Sequence, residues 1–301
     1  MFLADRDRPL VGIACKVVAT LLFSIMFASI RWLGPYFPIG EIVFFRSLLS
    51  MVVIVPIALF TGGPSLLLTK RIDSHALRSI AGVISVFCYF SAYTFLPLAD
   101  ATAISFASPL FVVILAALML GEQVHIYRWI AVIAGFVGVL VIVGPEAGLA
   151  QGVALGAFLA LAGAALAALA MVFLRRMSAH EHSVTIAFYF MLTTSVVSIF
   201  TWAFGWNFPD REQALVLLIT GLSGGIGQVF LSFSYRYSEA SVLAPFDYVA
   251  MIWAVVLGYF VFGELPTTGV WLGTLIVIAA GLMILWRERK LRVARGLPPA
   301  L

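Results

Sequence analysis

Three ionisable side chains fall inside long apolar stretches of this sequence: Lys16, Arg46 and Asp247. A lone charge at the centre of a membrane helix costs roughly 2.5 to 3.5 kcal/mol on insertion scales, so each has to be paired, hydrated or functional. The chemistry open to them is charge recognition and proton transfer. Asp247 suits an ammonium group or a carried proton. Lys16 lies about 9 Å past the start of its stretch at 1.5 Å per residue, within reach of an interface by snorkelling, and with Thr20, Ser24 and Arg31 it makes one face of that stretch polar. Arg46 and Asp247 differ in depth by under two helical turns, so a structural ion pair between them is the alternative to a binding role. Glu41, about one turn from Arg46, competes for that guanidinium.

Uncharged polar and small residues recur around these charges at helical spacing. One stripe reads Gly82, Ser85, Tyr89, Tyr93; another reads Gly221, Gly224, Gln228, Ser232, Tyr235. Each keeps to one helix face. Ala101, Ser105 and Ser108 mark a third helix, and Ala240, Ala244 and Asp247, followed by Tyr248, a fourth. A lipid-facing surface gains nothing from such residues, so they face protein or water. Close helix packing accounts for any one of them. The set, repeated on four faces, is expected to line a polar cavity, with Tyr89, Tyr93, Ser105, Ser108, Gln228, Ser232, Asp247 and Tyr248 supplying hydrogen bonds, aromatic surface and one carboxylate to a small solute. Pro109 and Pro245 fall within two of the same helices, where proline removes a backbone hydrogen bond and bends the chain. Moving hinges and fixed bends both remain open readings of that pair.

Signals for other chemistry are weak. His180-Glu181-His182 alternates potential metal ligands, but no cysteine or third histidine is near, so a solvated turn is expected and no metal is assigned. Phosphate loop, His-Glu-x-x-His motif and nucleophile elbow are all missing, which gives no support to an ATP-driven pump or a hydrolase; the chain is not expected to be an enzyme, and no cofactor is expected. Cys15 and Cys88, both within apolar stretches, form no disulfide framework. The segment Val11 to Cys15 has too few apolar residues before it for a cleavable signal, so the first stretch is expected to serve as its own anchor.

The elements that hold these residues follow from composition. Of 301 residues 63% are hydrophobic and 11% charged, and the mean hydropathy is +1.10, more apolar surface than a soluble core of this length needs. Spans need about 20 apolar residues each, and the sequence divides into ten: 10–33, 39–60, 76–96, 99–120, 127–143, 152–174, 183–204, 214–235, 238–262 and 268–286. Lys and Arg accumulate on the cytoplasmic side of short loops. Setting both termini in the cytoplasm leaves only Arg31 and Arg211 outside among the loop cations, Arg78 being counted with the inner ones. The net charge of +4 is then a topology signal and implies no nucleic acid.

The chain also repeats itself. Gly82, Ser85, Tyr89 and Tyr93 stand 139 positions before Gly221, Gly224, Gln228 and Ser232, while Gly12 and Arg31 stand 144 before Gly156 and Arg175. Gly121-Glu122 returns as Gly263-Glu264. The expected architecture is an all-α membrane protein of two five-helix repeats, residues 1–145 and 146–301, the second inverted relative to the first.

Asp100-Ala101 followed by Ser108-Pro109-Leu110-Phe111 and Gly121-Glu122, with Ala244-Pro245-Phe246-Asp247-Tyr248 and Gly263-Glu264 in the second half, resembles the EamA family of the drug/metabolite transporter superfamily. Essentially the whole chain takes part. The resemblance implies a bacterial inner-membrane carrier for a small molecule, whose cavity is lined by the third, fourth, eighth and ninth spans; the chain is expected to work as a monomer. It implies export of amino acids or similar metabolites by alternating access, or, as in other family members, uptake of S-adenosylmethionine, riboflavin or a related metabolite.

Overall fold

The computed structural model describes residues 9–69, 72–120, 126–144, 152–177, 183–238 and 240–294, and every element among them is helical. The first repeat contains α1 (Pro9–Leu33), α2 (Ile39–Gly62), α3 (Ile72–Phe95), α4 (Leu98–Ser105), α5 (Ser108–Leu120) and α6 (Ile126–Val143). The second contains α7 (Val153–Met177), α8 (Ser183–Ile199), α9 (Arg211–Tyr237), α10 (Ala240–Leu243), α11 (Val249–Phe262) and α12 (Thr268–Ala294), with short 3-10 turns at Pro64–Leu67, Phe200–Phe204 and Ala244–Tyr248. Helices satisfy their own backbone groups, which is the condition for crossing hydrocarbon. Among the described residues, eight helical stretches are long and apolar enough to cross a membrane, and two shorter apolar ones, Trp129–Val143 and Thr268–Ile284, accompany them. Large side chains such as Phe60, Leu140 and Leu275 stand exposed on the periphery, as lipid-facing residues do.

Small residues set how the helices meet. A methyl group added at Gly12 would stand 2.6 Å from Ser238 Cβ and 3.1 Å from the Ser234 carbonyl, so α1 lies directly against the end of α9. A methyl at Gly156 would stand 2.9 Å from Phe95 Cβ, placing α7 against the end of α3 in the same manner. Gly12 and Gly156 are the repeat-equivalent pair 144 positions apart, and Phe95 and Ser234 are equivalent by the shift of 139. Gly82 of α3 faces Phe190 of α8, while its equivalent Gly221 of α9 faces Leu49 of α2. Ala160, Ala164 and Ala168 are fully buried along α7. Packing within this bundle therefore runs largely between the repeats: α1 on α9, α3 on α7, α2 on α8 and α6 on α12.

The α-helical run is interrupted in the fourth stretch just ahead of its proline and in the ninth at its proline. At Phe106 and Ala107 the backbone bonds three residues back, to the Ala103 and Ile104 carbonyls, in place of the α-helical four, and Pro109 sits in the first turn of α5, where its missing N–H leaves no bond unmade. Pro245 likewise opens the 3-10 turn Ala244–Tyr248 between α10 and α11. The two breaks lie in corresponding parts of the two repeats.

Candidate functional site

Asp247 meets Lys16 and does not meet Arg46. The Lys16 ammonium, buried at 3% side-chain exposure, lies 2.7 Å from Asp247 Oδ1, while the Asp247 side chain is 51% exposed. Lys16 Nζ also donates to the Tyr235 hydroxyl at 3.4 Å and stands 5.1 Å from that ring's centre. The alternative of an Arg46–Asp247 pair fails for a positional reason. Asp247 belongs to the 3-10 turn that packs on α1, whereas Arg46 faces α8 and α9 from α2. Lys16 therefore does not snorkel away; its tail is held inside the bundle by a carboxylate from the other repeat.

Arg46 is 6% exposed. Its Nη1 donates to the Met191 sulfur at 3.1 Å, and its Nε is buried without a partner. A methyl at Gly224 would stand 3.3 Å from that Nε and 2.9 Å from the Met26 sulfur, so the glycine of the eighth-span stripe makes room for the guanidinium. Glu41 is spoken for elsewhere, accepting from the Asn207 backbone N–H at 3.0 Å.

The tyrosine stripe converges on α4. Tyr93 is 2% exposed and stacks on Phe27, with ring centres 4.3 Å apart and planes at 19°. Its hydroxyl lies 3.3 Å from Thr102 Oγ1, which itself donates to the Leu98 carbonyl at 2.7 Å and so is left to accept from the tyrosine. Ser105 Oγ donates to the Thr102 carbonyl at 2.6 Å. Tyr89, half-buried, lies across Gly163 of α7, and Ser85 Oγ donates to the Gly163 carbonyl at 2.8 Å. Tyr89, Tyr93 and Ser105 are thus brought together, and Ser108 lies half-buried just beyond the break. Gln228 is half-buried, and Ser232 is exposed with its hydroxyl returned to the Gln228 carbonyl at 2.9 Å. Tyr248 packs edge-on against Phe106 at 5.1 Å and brings its hydroxyl against Gly281 of α12. Beside it a groove of about 310 Å³ opens on the flank, walled by Pro245, Tyr248, Met251, Ile252, Trp271 and Leu275 among others; its apolar walls suit lipid chains better than a polar solute.

A second ion pair also crosses between the repeats. Arg31 binds Glu264, reaches the Tyr93 carbonyl at 3.4 Å and lies 5.1 Å from the Phe262 ring centre. Gly263 makes this possible. At φ +68° it ends α11 in the left-handed region, its N–H bonding the Tyr259 carbonyl and the Glu264 N–H the Gly258 carbonyl, and the chain turns so that Glu264 points back to α1. The Gly-Glu motif thus has a physical reading in its second copy, glycine for the turn and glutamate for the arginine. Its first copy, Gly121-Glu122, lies outside the described residues, as does His180-Glu181-His182.

The sequence profile of the EamA-like transporter family matches residues 10–144 and again 154–286. The chain belongs to that family. The two matches are the two packed halves. This EamA-like chain is 28% identical over 279 residues to the S-adenosylmethionine uptake transporter of Rickettsia prowazekii, covering 93% of this chain and 94% of the relative. It is 31% identical over 272 residues to the pseudopaline exporter CntI of Pseudomonas aeruginosa strain UCBPP-PA14, covering 89% and 94%. The riboflavin transporter of Vibrio cholerae is 27% identical over 297 residues, covering 97% and 99%. A solved crystal structure shares the fold with a TM-score of 0.64 at 19% identity, over 94% of this chain and 97% of its own. The protein is a multi-pass membrane protein of a transporter family, and its relatives carry names of transporters, not of enzymes.

Sequence reasoning missed three features: the Arg31–Glu264 pair, the stacking of Phe27 on Tyr93, and the contact of Arg78 with Phe190. The charge count set Arg78 with the inner cations and gave it no partner. It lies within α3 with its guanidinium 4.0 Å from the Phe190 ring centre and with Nε and Nη1 buried. The glycine at position 82 was the available signal, since it brings α3 and Phe190 together one turn away.

Proposed function

We propose that this EamA-like protein is a secondary carrier for amino acids and amino-acid-bearing metabolites in the bacterial cytoplasmic membrane. Ten spans in two inverted repeats expose one central site to either side in turn. The observation that carries this reading is the position of the two ion pairs. Lys16–Asp247 and Arg31–Glu264 both join α1 of the first repeat to the second, the former at the ninth stretch and the latter at the turn that ends it. Charged contacts across the seam between two halves hold one arrangement of the seam and are remade in another, which is what alternating access requires and static packing does not. Asp247, half exposed beside a buried ammonium, is the carboxylate placed to bind a cargo's amino group or to carry a proton.

Export of amino acids is the first reading. Uptake of S-adenosylmethionine is the second, favoured by the similarity to the Rickettsia prowazekii transporter over 93% of this chain; both cargoes present the same α-amino-acid group. Counterflow in proteoliposomes tests the proposal. Vesicles loaded with unlabelled solute are diluted into labelled threonine, phenylalanine, S-adenosylmethionine or riboflavin. A carrier of the proposed class accumulates labelled amino acid or S-adenosylmethionine transiently above its equilibrium level. Exchange of riboflavin alone would replace the cargo class, and exchange of none would remove the carrier reading.

A further inference from the structure

Two guanidinium groups reach the middle of α8, and neither meets a carboxylate among the described residues. Arg46 lies seven residues after the start of α2, and Arg78 six after the start of α3. They arrive at adjacent residues of α8, Arg46 at the Met191 sulfur at 3.1 Å and Arg78 at the Phe190 ring at 4.0 Å. Side chains of neighbouring helix residues do not face each other, and Phe190 packs on Gly82 of α3 while Arg46 Nε lies by Gly224 of α9, so the two cations sit on different faces of α8. Glu41 is bonded to the Asn207 amide, Asp247 to Lys16 and Glu264 to Arg31. Asp73 is exposed in the first turn of α3, and no ion pair joins Asp73 or Asp100 to either arginine.

A thioether and a ring face are weak partners for a buried guanidinium. Nε of both residues, and Nη1 of Arg78, are buried with no acceptor. Five N–H donors in a planar fork are suited to one class of acceptor above others, the two oxygens of a carboxylate. We propose that Arg46 forms an anion site inside the bundle that receives the carboxylate of the carried solute. Gly224 belongs to this site, because its missing side chain leaves the space around Arg46 Nε. The proposal rests on the carrier reading for the identity of the anion. It adds that cargo lacking a carboxylate is discriminated against here, apart from the Lys16–Asp247 pair, and, since an amino acid's ammonium and carboxylate share one carbon, it favours proton carriage over ammonium binding for Asp247.

Thermal melting of the purified protein in detergent tests the site without transport. Two probe pairs differ only in the carboxylate: S-adenosylmethionine against its decarboxylated form, and phenylalanine against 2-phenylethylamine. The expected result is a concentration-dependent rise in melting temperature with at least one carboxylate-bearing member and none with its partner. The half-saturating concentration should weaken roughly ten- to hundredfold in Arg46→Met, and less in Arg46→Lys. Without ligand, Arg46→Met should melt no lower than the parent, because an unneutralised buried cation has been replaced by an apolar chain of similar reach. Four results would overturn the site: equal response to both members of each pair, no response to either carboxylate, an unchanged response in Arg46→Met, or stabilisation by inorganic phosphate at the same concentrations as the carboxylates. A purely structural Arg46 predicts instead that Arg46→Met lowers the unliganded melting temperature while Arg46→Lys preserves it. Carboxylate-selective binding without counterflow would keep the site and remove the carrier. Equal counterflow of both members of a pair would keep the carrier and remove the site.

Discussion

An ammonium group with 3% of its side chain exposed has to be met by an anion, and Lys16 is met by Asp247 at 2.7 Å. Asp247→Asn keeps the shape and removes the charge, leaving Lys16 uncompensated. The expected loss is roughly 2 to 3 kcal/mol, below that of a fully buried pair because solvent reaches the Asp247 side. Combining it with Lys16→Met should restore the melting temperature while transport stays low, whereas adding Arg46→Gln should restore nothing. Melting curves of the parent and these three variants in one detergent check this. If Arg46→Gln rescued and Lys16→Met did not, the pairing in the structure would be wrong. The ionisable residues themselves were legible in the sequence, because charges within apolar stretches stand out. Their partners were not. Depth along each helix placed Arg46 and Asp247 near one level, but pairing depends on which helices are neighbours, and that is fixed by Gly12, Gly221 and Gly224 at contacts between the repeats.

The helices are held at repeat-equivalent crossings, and this makes a prediction at the scale of the element. Gly12→Val and Gly156→Val each insert a branched side chain where even a methyl carbon would stand under 3 Å from the facing helix. Overpacking of this kind costs typically 1–3 kcal/mol. Both variants should lower the melting temperature by similar amounts, since the first separates α1 from α9 and the second α7 from α3. A large loss in one and none in the other would mean that the two crossings are not equivalent. The start of α9 is a local feature of another kind. Asp210 accepts from the Gln213 N–H at 2.8 Å and Gln213 Oε1 accepts from the Asp210 N–H at 3.0 Å, a capping box that fixes where the helix begins. Asp210→Ala should cost about 1 kcal/mol and leave cargo binding alone, as equilibrium melting with and without S-adenosylmethionine or phenylalanine would show. Helix positions were largely readable from hydropathy. The breaks at 106–107 and 244–248 were readable only as to neighbourhood, because proline marks where a helix is free to restart as well as where it bends.

At the scale of the whole molecule the two halves pack on each other more than on themselves, with α1 on α9 matched by α7 on α3 and with α2 on α8 and α6 on α12 as self-matched pairs. The doubled family match and the repeated glycines were both foreshadowed by spacing, because a duplicated chain keeps its small residues wherever its helices cross. The account's central claim is that these halves are inverted, so that the seam with its two ion pairs opens to one side and then the other. Equivalent loops must then lie on opposite faces of the membrane. The deciding measurement uses single cysteines in a chain whose Cys15 and Cys88 have been replaced by alanine, one at Thr69 between α2 and α3 and one at Asn207 between α8 and α9, probed in intact spheroplasts with a membrane-impermeant thiol reagent. The account predicts labelling of Asn207→Cys from outside and of Thr69→Cys only after the membrane is permeabilised. Labelling of both from the same side would contradict it.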